Sequence, residues 1–333
     1  DKGYAYEKLH SVYFDISKLA DYGCLSNVDL SKTRLSKSID LDDYEKDSPG
    51  DFALLKRASL SELKRGICHK TKWGNVRPGW HLECAAISEK YLGQTYDLHI
   101  SGADETFPHC ENIVAINRAF SGRSGASYWI GAELILVNGR KMSRSLNNAV
   151  TISDLKEKGY AGRDIRLFLM NMNYRKPINY SMQAMQMAKN TIKTIDTFIH
   201  RLLVINQDVP GNSDVDQLVY DLHHAVEKSL DNDLNISGAL AALFDFVGKF
   251  NVPLTTGKLG KTDAQKILIS LGKVNEIFGI MNFEKQTLRF DITEIIKRRE
   301  IARKSGNWQE ADFLREQLNE AGVEVLDSQQ GTI

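Results

Sequence analysis

The pentapeptide Lys141-Met142-Ser143-Arg144-Ser145 brings two cations and two hydroxyls together in one short segment. It follows an apolar stretch, Leu134–Val137, and an Asn138-Gly139 pair typical of a turn, so a loop at the end of a strand is predicted. Attack on the α-phosphate of ATP spreads negative charge over the phosphoryl oxygens and the leaving pyrophosphate. Mobile cations that close on this charge lower the barrier. The loop is therefore a candidate ATP site, with Lys141, Ser143 and Arg144 as catalytic candidates; a solvated basic loop is the alternative.

Composition sets broad limits on this 333-residue chain. Its 43 basic and 43 acidic residues cancel, so a nucleic-acid partner would have to be recognised by a local patch rather than by bulk charge. No apolar run is long enough to span a bilayer, which argues against a membrane protein. Four irregularly spaced cysteines do not form a disulfide framework, and a reducing cytoplasm is the expected compartment.

The elements that would position the loop are predicted from apolar spacing. Helices are expected from Trp80 to Tyr91 and from Glu111 to Phe120, with strands at Tyr96–Ile100 and Leu134–Val137. Strand, helix and strand in this order predict half of a parallel sheet with crossover helices. The first half of the chain is therefore expected to be α/β.

Beyond about residue 180 the apolar residues recur at three- and four-residue steps, which predicts a helical bundle. The expected helices lie at 182–202, 214–230, 236–250 and 264–281. The tail, Ile292–Val325, is predicted to hold two further helices and an apolar strand at Val323–Val325. The fold class is therefore α/β followed by all-α.

A basic cluster lies in the tail. Its members crowd one to two helical turns and could face a phosphate backbone: Lys297, Arg298, Arg299, Arg303 and Lys304. The interleaved Glu294 and Glu300 leave open a solvated helix with internal ion pairs. Trp308 and the segment Gln330-Gly331-Thr332 are similar to the anticodon-recognising end of the family named in the next paragraph, and this resemblance favours RNA binding with Trp308 as a further contact.

Several motifs together resemble the class I aminoacyl-tRNA synthetases of the cysteinyl type. The Lys141–Ser145 loop is similar to the second class I signature, Lys-Met-Ser-Lys-Ser, with Arg144 in place of the second lysine. The stretch Arg77–Cys84 resembles the family's Arg-Pro-Gly-Trp-His-Ile-Glu-Cys, and Phe107–Asn112 its Phe-Pro-His-His-Glu-Asn. Gly3–Tyr6 and Asp51–Leu54 resemble the insertion that splits the family's catalytic sheet.

The resemblance implies four regions. Residues 1–135 would be the second half of a Rossmann-type catalytic domain, and residues 136–180 the signature loop with a stem-contact junction. Residues 181–285 would be a tRNA-binding helical bundle, and residues 286–333 a small anticodon-binding domain. The implied reaction is ATP-dependent activation of cysteine and its transfer to tRNA(Cys), with ATP and magnesium bound at Lys141–Ser145.

The resemblance also implies a zinc ion that selects cysteine through its thiolate. Cys84 and His109 match two of the four family ligands, but Ile113 stands at the family's glutamate position, and the fourth ligand lies in a region that has no counterpart here. Cys110 or Glu111 could contribute to a rebuilt site, as could Cys68 and His69; a weakened or abandoned site is the alternative that we favour. The substrate-pocket candidates are Trp80, His81, His99 and Asp104.

None of the eight histidines belongs to the His-x-Gly-His motif that contacts ATP phosphates in this family. We therefore expect a longer parent sequence or a second chain to supply that part. Two other functions stay open: a non-catalytic tRNA-binding paralogue, and a ligase that transfers cysteine to an acceptor other than tRNA. Ile113 and Cys110 favour the paralogue, whereas the intact Lys141–Ser145 loop and the basic tail favour the tRNA ligase.

Overall fold

The structure is a computed structural model that describes residues 2–28, 46–207, 209, 214–284, 290–321, 323, 325, 327–328 and 331–332. The chain forms two compact units. The first comprises residues 1–134 and 174–177, and the second comprises residues 135–173 and 178–333. In the described part of the chain, no helix has the length and apolar character needed to cross a membrane.

The first unit begins with a five-stranded antiparallel sheet in the order β1-β2-β3-β5-β4. Its elements are β1 (Ala5–Lys8), β2 (Ser11–Phe14), β3 (Phe52–Arg57), α1 (Leu60–Arg65), β4 (His69–Thr71) and β5 (Gly74–Pro78). Phe14 and Phe52 stack with ring centroids 4.9 Å apart and pack against Ala115, which fastens the sheet to the helix that carries Ala115.

A parallel pair of strands follows in the same unit: α2 (Trp80–Leu92), β6 (Thr95–Gly102), α3 (Glu111–Ser121) and β7 (Gly125–Ala132). The predicted helices and the parallel strand–helix–strand arrangement are confirmed, because β6 pairs in parallel with β7. The expected partner strand was wrong, since β6 does not pair with residues 134–137. The sequence Gly125–Ala132 contains two glycines, which weaken a strand pattern and hide β7 from periodicity.

The second unit begins with the strand that precedes the basic loop. Its first elements are β8 (Ile135–Val137), β9 (Arg140–Lys141), α4 (Ile152–Glu157), α5 (Gly162–Met170) and β10 (Ile178–Tyr180). β8 pairs in parallel with β10 and antiparallel with β9. Ile135 and Val137 pack against a small buried cluster that includes Leu155, Ile165 and Met185.

The bundle consists of α6 (Met182–Leu203), α7 (Val215–Asp231), α8 (Ile236–Thr255) and α9 (Lys261–Phe278), which confirms the four predicted helices. Their apolar stripes form one buried core in which Leu243, Phe250 and Ile267 are 0% exposed. Both terminal nitrogens of Arg163 in α5 donate hydrogen bonds to the carboxylate of Asp196 in α6, at 2.8 and 2.9 Å. These two bonds join the two helices.

The tail contains α10 (Phe290–Lys304) and α11 (Trp308–Glu320), as predicted, followed by a hairpin of β11 (Asp327–Ser328) and β12 (Gly331–Thr332). The strand predicted at Val323–Val325 was wrong: residues 323 and 325 are not in a strand. Val325 is instead buried with Ile292 and Leu318, so its apolar character serves packing against the helices.

Candidate active site

The start of α2 is fixed by a close approach of its backbone to β3. Gly79 donates its N–H to the carbonyl of Leu54 at 2.7 Å. A Cβ at position 79 would lie 2.3 Å from the carbonyl oxygen of Ala53, so only glycine fits there. The next two residues, Trp80 and His81, therefore leave the sheet at a defined point.

Trp80 and His81 meet His109, which lies in the π-helical turn Thr106–Cys110 before α3. The Trp80 and His109 rings stack with centroids 3.9 Å apart, and the two imidazole Nδ1 atoms of His81 and His109 are 2.8 Å apart. One imidazole must donate to the other, so the two rings hold each other in place. Trp80 remains 54% exposed, which leaves one side of the stack accessible.

The titration of these rings is governed by burial. Burial, assisted by His109 and Lys56, lowers the pKa of His81 to about 4. Burial and the neighbouring His99 also lower the pKa of His109. Because a lowered pKa disfavours the imidazolium, burial favours the neutral form of both rings, in which one ring nitrogen donates and the other accepts.

His99 and Asp104 lie on the same unit. The His99 ring stacks on Trp129 of β7 at 4.4 Å, and its Nδ1 is 3.0 Å from the hydroxyl of Tyr96. Asp104 lies in the 3-10 helix Ala103–Glu105 directly after β6, with an exposed side chain. His99 therefore lies within the second half of β6, and Asp104 lies directly beyond its carboxyl end.

Burial raises the pKa of the Cys84 thiol and of the Cys110 thiol. Cys110 is 1% exposed, and its Sγ lies 3.2 Å from the Ser101 hydroxyl. Ile113, at the family's glutamate position, is 0% exposed, and its side chain has no atom that could bind a metal ion.

Glu111 does not replace the lost carboxylate ligand. Its two carboxylate oxygens accept hydrogen bonds from the backbone N–H groups of Gly23 and Ser26, each at 2.9 Å, and from the Ser26 hydroxyl at 2.8 Å. Across the described ranges, no three His, Cys, Asp or Glu side chains converge on a point where a metal ion could bind. The residues that the structure describes thus do not fit a four-ligand zinc site.

The Lys141–Ser145 loop is closed on itself by Asn148. The Asn148 amide accepts from the Ser143 N–H at 2.9 Å and donates to the Lys141 carbonyl at 3.0 Å. The Ser143 hydroxyl lies 3.1 Å from that of Ser145 and accepts from the Leu146 N–H at 3.2 Å. Val150 donates its N–H to the Met142 sulfur at 3.2 Å, which holds the apolar residue of the motif inward while Lys141 and Arg144 are exposed.

The turn before this loop is built from residues that adopt positive φ. Asn138 and Gly139 have φ values of 50° and 77°, as a tight turn between β8 and β9 requires. A cavity of about 380 Å³ lies beside the loop and is lined by Val137, Asn138, Arg140, Leu146 and Asn148. The predicted strand–turn–loop order is therefore realised with the cations on the surface.

The basic residues of the tail separate into two groups. Lys297, Arg298 and Lys304 are exposed on α10, and Trp308 is 63% exposed at the start of α11. Arg298 also forms an ion pair with Glu310 at 3.6 Å. Arg299 departs from the expectation of an RNA contact, because it is only 2% exposed and lies on the inner face of the helix.

Sequence reasoning missed Asn148 and assigned a different role to Glu111. Asn148 was overlooked because its position three residues after the motif has meaning only once the loop folds back. Glu111 was considered as a metal ligand, whereas the structure uses it to fasten the loop at Gly23–Ser26. The apolar residues Ile113, Val114 and Ala115 directly after Glu111 and Asn112 could have indicated a buried acceptor at the start of the helix.

Comparisons with known proteins agree with the motifs. The family model described as "tRNA synthetases class I (C) catalytic domain" matches residues 1–190. A DALR domain matches residues 225–282, and the "Cysteinyl-tRNA ligase anticodon binding domain" matches residues 288–332. These three matches follow the chain in order.

Individual relatives cover nearly the whole chain. The cysteine–tRNA ligase of Chlamydia muridarum is 37% identical over 341 residues, which span 99% of this chain and 72% of the relative. The enzyme of that name from Chlamydia pneumoniae is 36% identical, over 96% of this chain and 68% of the relative. The one from Oenococcus oeni is 36% identical, over 99% of this chain and 71% of the relative. With a catalytic-domain model that matches more than half of its residues, this chain belongs to the cysteinyl-tRNA synthetases, a family of class I aminoacyl-tRNA ligases.

Proposed function

We propose that this chain takes part in ATP-dependent activation of cysteine and transfer of the cysteinyl group to tRNA(Cys) in the cytoplasm. The observation that carries the proposal is the Lys141–Ser145 loop, which Asn148 holds in a closed form with both cations exposed. Membership of the cysteinyl-tRNA synthetase family supports the proposal that this loop binds ATP together with magnesium.

In the activation step the cysteine carboxylate attacks the α-phosphate of ATP, and pyrophosphate leaves. Lys141 and Arg144 balance the negative charge that builds up on the pyrophosphate, and the Ser143 and Ser145 hydroxyls donate hydrogen bonds to its oxygens. Trp80, His99 and Asp104 are proposed to bind cysteine, with the Asp104 carboxylate paired to the substrate ammonium. A His-x-Gly-His segment, on a longer polypeptide or a second chain, is proposed to complete the phosphate site.

Cysteine-dependent exchange of pyrophosphate into ATP tests the catalytic half of the proposal. The native polypeptide should exchange pyrophosphate with cysteine and not with serine. Lys141→Ala should slow exchange about 100-fold, because one electrostatic contact to the transition state is lost. Lys156→Ala, an exposed lysine on α4 of the same unit, is the matched control and should retain the full rate. Equal rates in the two variants would contradict the role of Lys141.

The alternative is a tRNA-binding paralogue without catalysis, and the apolar Ile113 beside the buried Cys110 favours it. It predicts retention of tRNA(Cys) on a filter together with no exchange under any condition. A ligase for a different acceptor predicts exchange without tRNA retention. Zinc analysis of the same protein separates a rebuilt metal site from a lost one: we expect less than stoichiometric zinc.

The tail is proposed to bind the anticodon end of the tRNA through Lys297, Arg298, Arg303, Lys304 and Trp308. The cations, of which Lys297, Arg298 and Lys304 are exposed, would contact phosphates. The exposed indole would stack on an unpaired base. Trp308→Ala should weaken tRNA(Cys) binding by about 1–3 kcal/mol without changing pyrophosphate exchange, which needs no tRNA. Phe313→Ala, an exposed aromatic change on the same helix, is the control.

A further inference from the structure

The turn before the Lys141–Ser145 loop contains a chemically labile dipeptide. Asn138-Gly139 is the only Asn-Gly pair among the 333 residues. Asparagine is a thermolabile residue, because the backbone nitrogen of the following residue can attack its side-chain carbonyl carbon and expel ammonia. A glycine in the following position has no side chain to obstruct that attack. The sequence therefore favours this reaction at Asn138 more than at any other asparagine of the chain.

The fold leaves space around the reacting atoms. Asn138 and Gly139 are both exposed, so water reaches the turn. Among the residues that the structure describes, no atom lies within 4 Å of the point where a Cβ on residue 139 would be. The five-membered ring that the attack produces thus has room to form.

One hydrogen bond opposes the attack. The Gly139 N–H donates to the Oδ1 of Asn179 at 2.8 Å. Asn179 lies in β10 and pairs with Leu136 of β8, and this strand pairing places its amide beside the turn. The Gly139 nitrogen must lose its proton and leave Asn179 before it can attack. Asn179 therefore raises the barrier to the reaction.

Asn147, in the segment that directly follows the Lys141–Ser145 loop, provides an internal comparison. It has a φ of 51°, close to the 50° of Asn138, and it is also exposed. The next residue, Asn148, carries a side chain that is fixed by its hydrogen bonds to the Ser143 N–H and the Lys141 carbonyl. That side chain obstructs the nitrogen that would attack Asn147. The two asparagines thus share conformation and exposure and differ in the residue that follows them.

We propose that Asn138 is a site of spontaneous deamidation to aspartate and isoaspartate, that Asn179 slows this modification, and that the modified turn disables the Lys141–Ser145 loop. The Gly139 nitrogen releases its proton to water and bonds to the Cγ of Asn138. The bond from Cγ to the side-chain nitrogen breaks, and ammonia leaves. Water then opens the resulting succinimide. Attack at the side-chain carbonyl gives aspartate, and attack at the backbone carbonyl gives isoaspartate, whose main chain runs through Cγ. Overall one water is consumed and one ammonia is released.

Both products alter the loop. Across the turn, Val137 pairs with Arg140 and Leu136 pairs with Lys141. Isoaspartate adds a carbon to the main chain of a two-residue turn, so this register is lost and Lys141 is displaced. Aspartate keeps the register and adds a negative charge two residues before Arg140, which opposes the positive potential of the loop. The loss of affinity for pyrophosphate that follows rests on the proposed function.

The test is to age the full-length protein at neutral and at mildly alkaline pH and to follow Asn138 and Asn147 by peptide mass spectrometry and by enzymatic methylation of isoaspartate. Asn138 should convert while Asn147 stays intact, and conversion should be faster at the higher pH, because the attacking nitrogen must be deprotonated. Equal conversion of the two asparagines overturns the proposal, as does an Asn138 that stays intact.

The role of Asn179 is tested in the same assay. Asn179→Ala should speed conversion by about three- to tenfold, the factor that corresponds to one hydrogen bond of ordinary strength. Asn179→Asp, which keeps an acceptor oxygen, should convert no faster than the unsubstituted protein. Asn190→Ala removes an exposed amide on α6 of the same unit and is the matched control. Equal rates in Asn179→Ala and Asn190→Ala overturn the role of Asn179.

The effect on the loop is measured by cysteine-dependent pyrophosphate exchange during ageing. The unsubstituted protein should lose exchange in proportion to its modified fraction. Asn138→Gly should keep its starting rate, because glycine adopts the same positive φ and has no amide to lose. Exchange that survives complete modification overturns the effect on the loop. Absence of exchange before ageing sinks the proposed function instead, and the mass spectra still decide whether Asn138 is modified.

Discussion

The helical bundle and the parallel strand pair bury their apolar residues to very different extents. Leu243 and Ile267 of the bundle are 0% exposed, whereas Ile100 of β6 is 64% exposed and Tyr128 of β7 is 71% exposed. Each bundle helix has one apolar stripe that its neighbours can cover. A strand presents side chains to two faces, and a parallel pair needs cover on both. The bundle is therefore stabilised mainly by apolar burial, and the strand unit depends more on individual polar contacts.

Those polar contacts tie loops to α3. Glu111 is 1% exposed and accepts three hydrogen bonds from Gly23 and Ser26, and the neighbouring Asn112 accepts one from the Tyr22 hydroxyl at 2.6 Å. A buried acceptor of this kind costs free energy if its donors are removed, and its donors cost free energy if it is removed. The comparison thus predicts different weak points in the two units.

The largest expected effect is in the bundle. Leu243→Ala should lower the free energy of unfolding by about 2–5 kcal/mol, because it leaves a cavity in a close-packed core. Urea denaturation followed by circular dichroism at a helical wavelength measures the loss. Ile269→Ala, at a 64% exposed position of α9, is the control and should change stability by no more than about 0.5 kcal/mol.

A somewhat smaller effect is expected from the polar clamp of the strand unit. Glu111→Ala leaves its hydrogen-bond donors without an acceptor, and each donor that stays buried lowers the free energy of unfolding by about 1–3 kcal/mol. Of the hydrogen bonds from Gly23 and Ser26, only the one from the Gly23 N–H is fully buried. Hydrogen exchange of residues 22–26 should accelerate while exchange in the bundle stays constant. Unchanged protection of these amides would show that burial, rather than the clamp, holds the loop. Glu83→Ala, an exposed change on α2, is the matched control.

A third, smaller effect is expected where α5 is joined to the bundle helix α6. Arg163→Lys removes the two-point contact to Asp196 and should cost about 1 kcal/mol, since a lysine cannot bridge both carboxylate oxygens in the same way. Thermal unfolding measures it, and high salt should reduce the difference between the two proteins. A cost as large as that of Leu243→Ala would mean that the bundle depends on this ion pair as much as on its core.

The smallest effect on stability is expected on the exposed face of the strands. Ile100→Ser should change the free energy of unfolding by no more than about 0.5 kcal/mol and should lower the binding of a hydrophobic dye. Dye fluorescence at equal protein concentration provides the measurement. A destabilisation of several kcal/mol would break the comparison, because Ile100 would then have to be buried in solution.

Much of the secondary structure could be predicted from local pattern. The bundle helices follow from apolar residues at three- and four-residue steps, and α2 follows from the same spacing after Gly79. Helix ends were less accurate. α8 runs to Thr255 rather than Phe250, with Pro253 inside its last turn, where a proline usually indicates a helix end. α9 begins at Lys261 rather than Ala264, because its polar first residues carry no apolar period. The strand β7 was missed because its two glycines weaken the strand pattern. A strand at Val323–Val325 was wrongly predicted, because so short an apolar segment has no distinctive period.

Some features of the candidate site could likewise be predicted from the sequence, and others depended on the tertiary structure. The Lys141–Ser145 loop, its Asn138-Gly139 turn and the family resemblance depend only on which residues stand next to one another, and the sequence alone determined them. Tertiary structure decided what lies far apart in the chain: the 2.8 Å contact of His81 with His109, the use of Glu111 by Gly23 and Ser26, and the burial of Arg299. The chemistry of a short motif depends on residues that are adjacent in the sequence, whereas burial and contacts between distant residues depend on how their segments pack.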